Sequence, residues 1–177
     1  MSDTSRNIST MPMITSSFPD RATADRAFAD LHSRGYTDKE IHVIMSDDTR
    51  KNHFGDNVVL EKGNKALPGA GVGGAVGGAV GATIVGLMAA AAAVALPGIG
   101  LVIVGPLAGA LAGGAAGAAA GGLVGMMVGA GIPEAHAKVY EADLKAGSVI
   151  LGVVPRHEDD AVYFEKEWRA SGQHVYR

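Results

Sequence analysis

The chain has 177 residues, 26 of them glycine and none cysteine, and 47% are hydrophobic while only 5% are aromatic. The missing thiols exclude a disulfide framework, a thiolate nucleophile and a cysteine-ligated metal. A net charge of −3 from 15 basic and 18 acidic residues, without long runs of one sign, argues against a nucleic-acid surface.

Residues 1–10, "MSDTSRNIST", are polar and lack the basic and apolar regions of a secretory signal, so they are expected to be disordered and the protein to face the cytosol. "MITSSF" (13–18) reads as a strand. The next stretch, 19–35, is an amphipathic helix with both ends marked: Pro19 and Asp20 at its start, Ala24, Ala27, Phe28 and Leu31 on one face, and Gly35 at its end. "EIHVIMS" (40–46) alternates and is rich in β-branched residues, as a strand should be. Residues 47–67 are a polar linker in which "NVVLEK" is a minor extended piece.

Between Lys65 and Glu134 no residue is charged, and Thr83 is the only polar side chain. That window far exceeds the ~18 apolar residues that nominate a membrane span. It is interrupted once, at "ALPGIG" (95–100), where Pro97 and Gly98 favour a turn. Residues 68–131 are therefore expected to form a helical hairpin, with one helix from about 69 to 95, a tip at Pro97 and Gly98, and a second helix from about 101 to 131. At ~1.5 Å per residue each helix is roughly 40–45 Å long.

Beyond the hairpin, "PEAHAKVYEADLKAG" reads as a solvated helix starting at Pro133 and stopping at Gly147. "SVILGVV" (148–154) is a buried strand, 158–172 a helix with Val162, Tyr163 and Trp168 available for packing, and "HVYR" (174–177) a last short strand. The order is β-α-β, hairpin, α-β-α-β. Without the hairpin and the helix after it, βαββαβ remains, so the expected fold is α+β: a ferredoxin-like domain of residues 11–46 and 132–177, split by the hairpin and one extra helix.

Glycines recur every fourth residue in both hairpin halves: Gly69, Gly73, Gly77 and Gly81 in the first, and Gly105, Gly109, Gly113, Gly117, Gly121, Gly125 and Gly129 in the second. A glycine inside a helix costs roughly 1 kcal/mol relative to alanine, so such rows require contacts that return the energy. Without Cβ atoms, helix backbones approach closely and gain dispersion and weak Cα–H···O contacts. A spacing of 4.0 against 3.6 residues per turn winds a row of seven through roughly 240°, which one straight neighbour cannot follow. The rows thus predict a homo-oligomer packed through these glycines.

Seven Leu, Ile and Val residues in the first helix and nine in the second make insertion into a bilayer favourable but modest. Lys62, Lys65 and Lys138 flank the hairpin and its tip is uncharged, so both termini are expected in the cytoplasm, with the hairpin in the cytoplasmic membrane. The alternative is a soluble cytoplasmic assembly that hides the hairpins inside.

Enzyme chemistry finds no support. "GAGVGG" (69–74) matches G-x-G-x-x-G, yet no strand precedes it and no acid lies about 20 residues on. Neither a phosphate loop nor a hydrolase elbow occurs. The histidines are isolated in sequence; His42 and His174, both on expected strands, are the one pair open to a transition metal, and no cofactor is expected.

"SFPDRATADRAFADLHSRGY" followed by "IHVIM", the hairpin with "LPGIG" at its tip, and "GIPEAHAKVYEADLKAGSVILGVV" together resemble the bacterial general-stress glycine-zipper hairpin proteins over about residues 13–176. The resemblance implies a small ferredoxin-like domain interrupted by a large helical hairpin, a stress association, and no assigned catalytic residue. Similar hairpins occur in the small membrane subunit of a quinol-oxidising respiratory complex, which implies a further alternative, an accessory or adaptor subunit with other protein subunits as partners. The expected protein is a non-enzymatic, self-associating hairpin protein of the stress response.

Overall fold

The computed structural model describes residues 11–54, 60–62, 84, 87, 93–96, 100–108, 115–129 and 132–177. The expected disordered N-terminus, the glycines 69, 73, 77, 81, 109 and 113, and the tip residues Pro97 and Gly98 lie outside them. The described part is α+β. In chain order its elements are β1 (Ile14–Phe18), α1 (Arg21–Ser33), β2 (Ile41–Ser46), α2 (Asp47–Phe54), β3 (Leu60–Lys62), β4 (Ala93–Leu96), β5 (Leu101–Val104), α3 (Ala115–Gly129), α4 (Glu134–Lys145), β6 (Val149–Val153), α5 (Glu158–Ser171) and β7 (His174–Tyr176).

Among the described residues seven strands form one sheet, in the order β3-β4-β5-β2-β6-β1-β7. Every neighbouring pair is antiparallel except β3–β4. β6 lies between β1 and β2 and runs opposite to both, pairing Ile14 with Val153 on one side and Ile41 with the same Val153 on the other.

Strand alternation sends successive residues to opposite faces, and each face has its own core. On one, Phe18, Val43 and Leu151 meet α1 through Phe28 and Leu31 and α5 through Phe164 and Trp168. The Phe18 and Trp168 rings meet edge to face at 5.8 Å. On the other, Ile44, Ile103 and Ile150 meet α4 through Ala137, Tyr140 and Leu144, and α3 through Leu123, Met126 and Met127. Ile84 and Leu87, from the middle of the charge-free window, are buried in the first core, and the Ile84 N–H donates to Asp25 Oδ1 of α1 at 3.1 Å.

Caps explain the helix boundaries. Asp20 accepts from the Thr23 N–H at 2.8 Å and starts α1, while Gly35, at φ 84°, ends it in a backbone conformation open to glycine. Ser46 does the same for α2, accepting from the Thr49 N–H at 3.0 Å, with Asp47 and Asp48 in the first turn. α2 thus replaces the start of the expected linker, and β3 matches its extended piece.

Three further expectations are corrected. The first hairpin helix does not continue to residue 95 and the second does not start near 101, because 93–96 and 101–104 are strands paired with each other, and β5 also pairs with β2. "LVIV" is β-branched-rich and fully apolar, and a short run buried on both faces reads the same as a buried helix turn until a neighbouring strand is found for it. Gly105 therefore ends a strand instead of opening a helical glycine row. On α5, Val162 is 56% exposed, and Ala161, Phe164 and Trp168 form the packed face instead. Among the described residues no helix is long and apolar enough to cross a membrane.

Candidate functional site

The glycine row can be followed over α3. Its helical geometry breaks at Gly122, whose φ of 58° and ψ of −145° only glycine adopts readily. The uninterrupted winding row expected from the sequence is therefore corrected: Gly117 and Gly121 precede the break, and Gly125 and Gly129 follow it. In the second half Leu123, Met126 and Met127 face the sheet and α4, while Val128 is 44% exposed, Gly129 is exposed and Gly125 is half-buried. A Cβ built at Gly129 would meet no atom within 4 Å. No described part of the chain requires a glycine there.

Gly105 is the opposite case. Its φ is +95°, and a Cβ on it would collide with the carbonyl oxygen of Ile41. Its smallness serves a close crossing of the chain over β2.

The face of the sheet under α4 carries polar side chains. Ser17 donates to Asp143 Oδ2 at 2.6 Å, and His174 Nδ1 lies 2.8 Å from the same oxygen. Beside them the Tyr140 hydroxyl donates to Thr15 Oγ1 at 2.7 Å, and burial pushes that phenol far above its ordinary value. A serine, a histidine and an aspartate in contact invite comparison with a nucleophilic triad, but the connectivity is wrong. The hydroxyl addresses the carboxylate, not the imidazole that would have to take its proton, and Ser17 is fully buried. The cluster ties β1, α4 and β7 together. Its signal in the sequence is alternation, with Thr15 and Ser17 on one face of "ITSSF" and Tyr140 and Asp143 three residues apart on one helix face.

His42 and His174 do not meet, because β6 and β1 lie between their strands. Among the described residues no group of three or more potential ligands could hold a metal. His42 is buried and accepts from the Leu107 N–H through Nδ1 at 3.2 Å. Burial lowers its pKa to about 4.

At the start of β2 and just past the end of β6 lies a charged network. Arg156 holds Glu40 through Nε at 2.9 Å and Nη2 at 2.7 Å, which brings the Glu40 carboxyl down to about 2. The Tyr36 hydroxyl donates to Asp160 Oδ2 at 2.8 Å and accepts from the Arg156 N–H at 2.9 Å, and burial pushes it up to about 12. These groups are saturated by one another, as a structural network is.

Two clefts remain. One of about 690 Å³ lies between α2, the end of α4 and the Gly122 break, where Asp48, His53 and Glu141 line an open polar groove. The other, about 210 Å³, sits at the start of α4, where His136 stacks on Tyr176 at 3.6 Å. Neither gathers a nucleophile with a base. Compared with family models, with curated proteins and with solved structures, the chain has no match.

Proposed function

We propose that this chain is a non-enzymatic, self-associating protein whose copies pack through the small-residue face of α3. The observation that carries the reading is Gly129 with Gly125 one turn before it: spaced by four, Gly125 half-buried and Gly129 exposed, with no atom of the described residues within 4 Å of a Cβ at Gly129. A helix bears the entropic cost of such residues when another backbone comes close. Gly129→Leu tests this, since a Cβ at that position meets no atom of the described residues within 4 Å. The expected result is an unchanged far-ultraviolet spectrum with particle mass reduced to the monomer; an unchanged mass contradicts the reading.

The α/β part is read as ferredoxin-like. Support comes from the order β2-β6-β1-β7, from β6 running opposite to both of its neighbours, and from α1 and α5 sharing one face. In the membrane form of the proposal, a stress-response protein sits in the cytoplasmic membrane with this domain and both termini in the cytoplasm, supported by the charge-free window from 66 to 133.

A soluble assembly is favoured by one observation. Ile84 and Leu87 are buried against α1, and Leu123, Met126 and Met127 against α4 and the sheet, so these parts of the window use the α/β domain as their partner. α4 bears an exposed Glu134–Lys138 ion pair, a poor neighbour for acyl chains. Washing membranes with alkaline carbonate separates the two forms: retention of the protein supports the membrane form, and complete release supports the soluble assembly.

A further inference from the structure

The chain leaves the sheet at the end of β5, where Val104 pairs with Val43, and immediately doubles back over β2. Gly105 makes the crossing against the Ile41 carbonyl, the Ala108 N–H closes a turn onto the Gly105 carbonyl at 2.9 Å, and the Leu107 N–H points at His42 Nδ1. Leu107 and Ala108 are both buried in the second core. His42 itself is 8% exposed. One imidazole nitrogen thus receives the Leu107 N–H, three residues past the end of β5.

This contact exists in one protonation state only. A neutral ring with its proton on Nε2 offers Nδ1 as an acceptor, whereas a protonated ring has donors at both nitrogens and would set a donor against a donor while burying a charge. We propose that His42 is an acid-sensitive clasp that fastens residues 105–108 to the sheet, and that protonation of its ring undoes the fastening.

The groups around it leave the ring to act alone. Of the elements on this face, β1, β5, β6 and α3 carry no titratable residue. α4 brings His136, Tyr140 and Asp143, and β7 brings His174 and Tyr176. Tyr140 is bound to Thr15, His136 is stacked on Tyr176, and Asp143 is held by Ser17 and His174. Burial is the one cause of the depressed basicity of His42.

The sign follows from linkage. With a folded value of about 4 against an ordinary 6.5, the closed clasp excludes a proton that the open one binds, so opening is favoured as pH falls through 6.5 and levels off near 4. Between pH 7.5 and 5 the opening constant of residues 105–108 is expected to rise about 30-fold. Stable association of the chain is not required for this.

Amide exchange in the full chain, corrected for the intrinsic pH dependence of exchange, reads the clasp directly. The expected result is an approximately 30-fold loss of protection at Leu107 and Ala108 between pH 7.5 and 5, with Ile150 and Leu151 in β6 unchanged. In His42→Asn, whose Oδ1 replaces Nδ1 as an acceptor without titrating, the protection stays constant. A pH-independent wild type, or parallel loss in the variant, overturns the proposal. Should the variant fail to fold, ring nitrogen shifts in the wild type decide: a proton on Nε2 alone at pH 7 and titration well below 6.5 are expected, and an ordinary titration that leaves the Leu107 amide unmoved overturns it.

Discussion

Asp143 accepts Ser17 and His174 on a single oxygen, and with one carboxylate it fixes α4 to β1 and to the neighbouring edge strand β7. Removing it leaves a fully buried hydroxyl without its acceptor, the costly side of hydrogen-bond energetics. Asp143→Ala is expected to lower stability by about 2–3 kcal/mol in urea unfolding at pH 7, and Asp143→Asn, which can still accept from Ser17, by less; a midpoint equal to wild type for the alanine variant contradicts this role. The Glu40–Arg156 pair acts in a different range. Because the Glu40 carboxyl falls from 4.5 to about 2 on folding, its stabilisation is complete above pH 4.5 and is lost as pH falls toward 2. Glu40→Gln is expected to flatten the stability curve across that interval, measured by thermal unfolding in acid, and a curve parallel to wild type argues against it.

At the scale of elements, glycines from one register have unlike duties. Gly105 lies at φ +95° against the Ile41 carbonyl, and Gly129 is a helical residue in open space. Gly105→Ala is expected to cost about 2–3 kcal/mol through strain and collision, while Gly129→Ala stays within about 0.5 kcal/mol; equal effects in denaturant melts contradict the distinction. This difference was not legible in the sequence, where every glycine of the row looks alike, because it depends on which strand the chain crosses. The flanking elements were legible. β1, α1, β2, α4, β6, α5 and β7 follow alternation, amphipathic spacing and caps such as Asp20 and Gly35, and these local signals survive folding. The sequences of β4 and β5 read as helix because Ala, Val and Leu without a polar face show no period. The start of α2 does carry a local signal, since Ser46 followed by two aspartates is a helix cap. Ser17 and Asp143 lie 126 positions apart, and only the order of strands brings them together.

For the molecule as a whole, the two faces of the sheet divide the labour. One is closed by α1 and α5 around Phe18, Phe28 and Trp168, and the other receives α4 together with α3 from the charge-free window. α3 is thereby half-used: Leu123, Met126 and Met127 are buried inward, Val128 and Gly129 are exposed, and Gly125 is half-buried. That outer face is where copies of the chain are proposed to associate. The most direct test is the absolute mass of the purified full chain by light scattering, at micromolar concentration, with and without a mild detergent. A defined multiple of the 17.9 kDa chain in at least one condition is expected; a 17.9 kDa particle in both contradicts self-association.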